Sequence, residues 1–545
     1  MHVHLTTLGC RLNEAETELW SGQFQAAGWT LCAEPSHADL IIFNSCAVTA
    51  EAVRKSRQLI GRHKRINPNA RVVISGCVVS LPQDAAGSAG QHKTVGKNEP
   101  SSQATGTAHP VLPEVDLIVP NTRKDQLVRL TLEALFPAVA VQQSTAQSFT
   151  TDQVQSDKTP ASSDAAGPEQ AYFSQRVIPL YPASSTQADV QQDIANTSGS
   201  SDKSKQRRRQ RAFIKIQDGC RYKCTYCIVT QARGEEKSRR IQTLIDEVNT
   251  LQQQGVQEIV LTGVHVGGYG SDTNESLASL VGALLQDTAV PRIRFASVEP
   301  WDLEPDLLAL FHNKRVMPHM HLPLQSGSDS VLKRMARRCR TADFRHLVES
   351  LRTDFPDFNV TTDIIVGFPG ETDDEWQETM AFAEEMAFGH IHIFPFSPRA
   401  GTHAATLGGQ LPNAVKKQRA RQLAAIARDS RHRYMQQFVG RTVNVLWETG
   451  KAIAQNEQLS PANGKRYIGY TPNYLRVCSN IASTDQAASS SAATAADIGR
   501  SLENLVTPAR LEAIEADESR ANKPTWFSAS VAQNTEMQQE ETVFG

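Results

Sequence analysis

The chain has 545 residues, 40% hydrophobic and 21% charged, with a formal net charge of −2. That length exceeds one hydrophobic core and predicts three or four domains of ordinary globular composition. No run approaches the ~18 apolar residues of a membrane span, and the start, MHVHLTTLGCRLNEAE, lacks a basic region followed by an apolar one, so the expected location is cytoplasmic.

In chain order, VHLTTL (3–8), ADLIIF (38–43) and ARVVIS (70–75) are apolar runs of strand length separated by helical patterns. Asn13 and Glu16 read as a capping pair, which starts a helix just after Cys10. A polar insertion covers about 83–110. VDLIVPN (115–121) and KDQLVRLTLEALF (124–136) then add a strand and a helix. Such alternation predicts a parallel sheet in a first α/β domain, 1–137.

Residues 138–208 are rich in Gln, Ser, Ala and Asp and read as a low-complexity linker. A second alternating series, 209–440, carries six strand candidates: FIKIQ (213–217), VQEIVLTGV (256–264), RIRFASVE (292–299), HMHLPLQ (319–325), NVTTDIIVGF (359–368) and HIHIFPF (390–396). Six parallel strands with outer helices predict a partial (β/α)6 barrel whose chemistry sits at the carboxyl ends of its strands. Residues 441–530, with TVNVLWE (442–448), YIGYTPNYLRVCS (467–479) and LVTPARLEAI (505–514), predict a small β-barrel. An insertion at about 481–503 interrupts it, and 531–545 is a tail.

Nine cysteines in a reducing compartment point to metal ligation or catalysis rather than disulfides. Cys220, Cys224 and Cys227 form CxxxCxxC after the first barrel strand. Three thiolates without a nearby fourth suit a four-iron cluster with one open iron, whereas structural zinc completes four ligands. Arg221 and Lys223, between them, are expected to favour the thiolates. Cys10, Cys46 and Cys77 each close a strand of the first domain, so a parallel sheet brings them to one edge as a second triad. Cys32, Cys339 and Cys478 read as structural. Basic residues gather in KSKQRRRQR (203–211) and in the helix pattern holding Arg54, Lys55, Arg57, Arg62, Lys64 and Arg65, either as solvated surface or as phosphate contacts weakened by salt.

The CxxxCxxC loop, the upstream triad and the downstream small barrel together resemble the radical S-adenosylmethionine methylthiotransferases. GCRLNEAETE (9–18), NSCAVTAEAVRKSRQ (44–58), LTGVHVGGYG (261–270) and SVEPWD (297–302) look most like the branch that modifies threonylcarbamoyladenosine beside the tRNA anticodon. The resemblance implies two [4Fe-4S] clusters on the six cysteines, S-adenosylmethionine as co-substrate, tRNA as partner, a TRAM-like RNA-binding carboxyl domain and an external low-potential electron donor. It implies that the first cluster releases a 5′-deoxyadenosyl radical and that sulfur held at the second is bonded to carbon-2 of the adenine. Related branches modify isopentenyladenosine or a ribosomal aspartate. A metal-stabilised RNA-binding factor is the non-enzymatic alternative.

Candidate cofactor contacts are Gly263 and Gly267 by close backbone approach, Glu299, Gln325 and Asp363 as polar groups near strand ends, and Tyr226 through its backbone. Asn13 is a candidate for the space between the triads. In the small barrel, Tyr467, Tyr470 and Tyr474 with Arg476 are expected either to stack on RNA or to pack the core.

Overall fold

The computed structural model describes residues 1–81, 115–137, 210–448, 450–452, 465–481, 502–515 and 526–531. The polar insertion at 83–110, the linker at 138–208, nearly all of the 203–211 basic run, most of the 481–503 insertion and the tail beyond Val531 lie outside the described residues.

The first domain is a five-stranded sheet. Strands His2–Thr7, Leu40–Ser45, Arg71–Gly76 and Leu117–Val119 fall where the apolar runs predicted them, with Thr30–Leu31 added at one edge. All pairings are parallel. Alternation along Leu40–Ser45 sends Leu40 and Ile42 to one core and Ile41 and Phe43 to the other. A strand buried on both faces reads as a continuous apolar run for that reason.

The second domain holds six parallel strands, Arg211–Lys215, Glu258–Thr262, Arg292–Phe295, His319–His321, Asn359–Val366 and His390–Pro395. Two three-stranded sheets are joined by the parallel bridges Ile293 to Val316 and Ser297 to His321. Among the described residues the first and last strands do not pair, so the barrel is open. The first-domain helix Arg11–Ala26 packs beside that opening, with Ala15 against Phe213 and Val260 and Arg11 5.0 Å over the Phe213 ring.

The third unit is a closed six-stranded barrel, and it departs from expectation twice. The 467–479 stretch is a hairpin of Lys465–Tyr470 and Arg476–Ile481, because Pro472 and a left-handed Tyr474 break the alternation. Trp526–Val531, assigned to no strand from sequence, pairs with both Val506–Glu515 and Arg476–Ile481.

This unit docks on the amino ends of the radical-barrel strands. Arg292 donates to Tyr470 O (3.2 Å) and Asn444 O (2.9 Å), and Asn359 donates to Asn473 O (2.8 Å). Tyr470 and Tyr474 stack at 4.9 Å beneath Arg211 and Arg294, while Tyr467 is core. Of the two expectations for these tyrosines, packing is the one observed: Tyr467 is core, and the faces of Tyr470 and Tyr474 meet the radical barrel's own guanidinium groups. No helix among the described residues is long and apolar enough to cross a membrane.

Candidate iron–sulfur and cofactor site

Cys46 and Cys77 directly follow parallel strands and Cys10 comes three residues after a third, and their loops are tight. Gly9 sits at φ +132°, and a Cβ there would lie 2.9 Å from Cys46 Cβ; one at Gly76, φ +104°, would lie 2.2 Å from Ser45 O. Only glycine lets these loops approach. Burial first, then the neighbouring Cys77 and Cys10, pushes the Cys46 thiol up to about 12. Free thiols so placed stay protonated at neutral pH, and a bound metal supplies the positive charge that ionises them.

Cys220, Cys224 and Cys227 likewise converge on the loop after the first barrel strands. Burial, reinforced by Cys224, pushes Cys220 up to about 11 and Cys227 up to about 12. Arg221 does not favour the thiolates as expected: its side chain lies 3.5 Å from Glu236 and against the Tyr222 ring. Each triad offers three sulfurs, and the remaining cysteines stand apart. Cys339 is in the barrel core, Cys32 packs against the first-domain core and Cys478 lies in a strand of the third unit. The donor sets fit open-cornered clusters.

Asn13 and Glu16 are not caps. Cys10 occupies the N-cap position, and both residues are buried inside the helix at 1% and 2% exposure. Asn13 Nδ2 donates to Leu8 O (2.9 Å) and Ser45 O (3.2 Å), which ties two cysteine loops together. Behind this triad lies Arg233, from the short helix Val229–Arg233 that follows the CxxxCxxC loop. Its charge acts on both Cys10 and Cys77.

Among the candidate cofactor contacts, Gly263 packs closely on Gln217, whose Oε1 would be 3.0 Å from a Cβ, and Gly267 more tightly on Asp302, at 2.4 Å. Internal packing by itself accounts for glycine at Gly267. Glu299 accepts two hydrogen bonds from Arg337 (3.2 and 2.6 Å), and Arg337 also reaches Cys224 Sγ at 4.0 Å and stacks on Trp301. Gln325 is buried, has φ +78° and bonds backbone to backbone with Asp363 and Ile365; a left-handed non-glycine residue at a strand end is strained. Tyr226 packs against Val331 and Met335 between the cysteine ligands. Asp363 is mid-strand rather than at a strand end, with Oδ1 3.0 Å from His321 Nε2.

Sequence reading missed several residues at this site. His265 is clamped between Glu236 (2.6 Å) and Asp302 (2.5 Å) beneath the Tyr222 ring. Arg399 is buried, with Nε and Nη2 unpartnered among the described residues, and its charge is coupled to Cys46. Neither carried a motif with a mechanism of its own; partners distant in sequence define both.

Comparison with known proteins agrees with this geometry. Residues 214–383 match the Radical SAM superfamily, and residues 2–95 match uncharacterized protein family UPF0004. The chain is 33% identical over 448 residues to the threonylcarbamoyladenosine tRNA methylthiotransferase MtaB of Thermotoga maritima, covering 82% of this chain and 86% of that one. The chain belongs to the radical S-adenosylmethionine methylthiotransferase family. It is an enzyme that transfers sulfur-containing groups, of a family that uses S-adenosylmethionine and [4Fe-4S] clusters. It is also 29% identical to MtaB of Bacillus subtilis (86% of this chain, 88% of that one) and 32% identical to the tRNA-2-methylthio-N(6)-dimethylallyladenosine synthase of Staphylococcus saprophyticus (82% and 75%). A solved structure of the radical methyltransferase TsrM from Kitasatospora setae aligns over 74% of this chain and 77% of that one, at TM-score 0.45 and 13% identity.

Proposed function

We propose that this enzyme inserts a methylthio group at carbon-2 of threonylcarbamoyladenosine next to the tRNA anticodon, using two [4Fe-4S] clusters and an external low-potential electron donor. The observation that carries this reading is the pair of cysteine triads, one on the loops that follow three parallel strands and the other on the single loop ahead of the helix that carries Arg233, whose charge acts on Cys77 and Cys10.

Cys220, Cys224 and Cys227 would hold the cluster that binds S-adenosylmethionine, and Cys10, Cys46 and Cys77 the cluster that carries sulfur. When bound, these clusters supply a strongly reducing electron and a sulfur donor, which no side chain here provides. The protein's part is placement. Arg337 holds Glu299 in one orientation beside Cys224, where its carboxylate would meet the amino group of S-adenosylmethionine. The strained Gln325 turns the chain beyond a neighbouring strand, and Tyr226 anchors the cysteine loop on the apolar cluster that contains Val331 and Met335. Arg399 presents its free donors to the sulfur-carrying triad. Asn13 fixes the spacing of the Cys10 and Cys46 loops.

The threonylcarbamoyl substrate is favoured by the MtaB likeness, and modification of isopentenyladenosine is the second reading, favoured by the comparable identity to the synthase from Staphylococcus saprophyticus. Nucleoside mass spectrometry of total tRNA from a host lacking both activities, with and without this protein, decides between them. Methylthiolated threonylcarbamoyladenosine is the expected product. Methylthiolated isopentenyladenosine alone would replace the first reading with the second, and neither product would refute both.

A further inference from the structure

Two His-x-His pairs, His319 with His321 and His390 with His392, lie on strands that flank the one carrying Thr361 and Asp363. The register is fixed by the ladder: His321 sits beside Thr361, Thr361 beside His390, and Asp363 beside His392. Residues two apart on a strand share a face. His319 packs 4.9 Å from Tyr474, the tyrosine seated at the amino end of the barrel, so this shared face is the barrel interior.

One nitrogen of His321, one oxygen of Asp363 and one nitrogen of His392 lie within 4.8 Å of one another. His321 Nε2 and Asp363 Oδ1 are 3.0 Å apart, and the rings of His321 and His392 have centroids 5.4 Å apart at 64°. Adjacent ligands of a tetrahedral ion with ~2.0–2.1 Å bonds stand roughly 3.3–3.4 Å apart, so small side-chain rotations close this set around one centre. The other ring nitrogen of His321 has a partner of the kind metal-binding imidazoles use: Nδ1 meets Thr361 Oγ1 at 3.0 Å, and in the tautomer with the proton on Nδ1 the Nε2 lone pair is left for a ligand. His392 is exposed while His321 and Asp363 are half-buried, so three protein ligands would leave an open position toward the interior.

We infer that His321, Asp363 and His392 form a binding site for a divalent first-row transition ion, separate from the cysteine triads. Two imidazoles and a carboxylate with open coordination match zinc or ferrous iron and disfavour calcium or magnesium, which take oxygen donors. The inference does not depend on which nucleoside is the substrate.

The test uses holoenzyme carrying both clusters, dialysed anaerobically against micromolar zinc, followed by elemental analysis and zinc-edge X-ray absorption. The expected result is about one zinc per chain, in a nitrogen and oxygen shell at ~2.0–2.1 Å. Zinc should be lost in both H392F and H321Q, with iron content kept as the control for folding and cluster loading. Zinc bound through sulfur at ~2.3 Å would mean occupation of a cysteine triad and would overturn the inference. So would wild-type holoenzyme without zinc, or variants that bind as much zinc as wild type.

Discussion

Arg233 donates from Nη2 to Asn13 Oδ1 at 2.8 Å, across the boundary between the radical barrel and the first domain. The same guanidinium reaches Glu16 (3.0 Å) and Asp218 (2.9 Å), and Lys124 and Lys215 also pair with Glu16. Burial opposes ionisation of Glu16, but these three cations outweigh it and hold the carboxyl well below its usual range. The network joins the two cysteine-bearing loops through charges that water does not screen.

Cutting it should be costly. Arg233→Ala leaves two buried or half-buried carboxylates short of a cation, and Glu16→Gln leaves excess positive charge in the same place. Removing one partner of a buried pair typically costs about 3–5 kcal/mol. Urea unfolding should show a loss of that order for each variant, and the double variant should lose less than the sum. Additive losses would mean that the two residues do not act as a unit.

The two triads should separate by substitution. Cys224→Ala is expected to abolish reductive cleavage of S-adenosylmethionine, since a cluster short of one of three thiolates is not retained. Cys46→Ala is expected to retain cleavage and lose sulfur insertion, with iron content falling by about half in either variant. Product formation by Cys46→Ala, measured with an anticodon stem-loop substrate, would remove the sulfur-carrying role from that triad.

Arg399 should matter to sulfur insertion more than to cleavage. Its guanidinium is buried with two nitrogens unpartnered among the described residues, and desolvation, partly offset by Cys46, pulls it below its usual value. A buried unsatisfied cation is costly to keep unless it serves a ligand. Arg399→Gln should lower the insertion rate about 10-fold or more, the scale of one charged hydrogen bond worth ~1.5–3 kcal/mol, while cleavage falls less. Equal losses in both assays would place Arg399 in general packing.

The parts legible in the sequence were those fixed locally. Strand positions followed from apolar runs such as Leu40–Ser45, and with them the places of Cys46 and Cys77 immediately after two strands. Asn13 and Glu16 misled because a capping pattern and a buried polar pair are alike in sequence, and only Arg233, more than 200 positions away, distinguishes them. For Tyr470 and Tyr474 the sequence left RNA stacking and packing both open, and it could not choose because Arg211 and Arg294, which cover them, come from another domain. Trp526–Val531 was missed because its partners, Arg476–Ile481 and Val506–Glu515, lie across sequence gaps that hide the alternation.

Acid sensitivity should trace in part to His63, in the basic helix Ala50–Ile66. Burial, then the charges of His4 and Arg62, pushes its imidazole down to about 4, and its Nδ1 has no hydrogen-bond partner among the described residues. An unfolded histidine titrates near ~6.5, so well above that pH both states are neutral and His63 contributes little pH dependence. As the pH falls from about 6.5 to about 4 the unfolded chain takes up a proton that the folded chain excludes, and folding loses up to roughly 3 kcal/mol. His63→Leu removes this loss without adding a buried polar group. Urea midpoints at about pH 7.5 and 5 should therefore differ less in His63→Leu than in wild type, and equal differences would show that His63 stays neutral in both states or protonates freely in both.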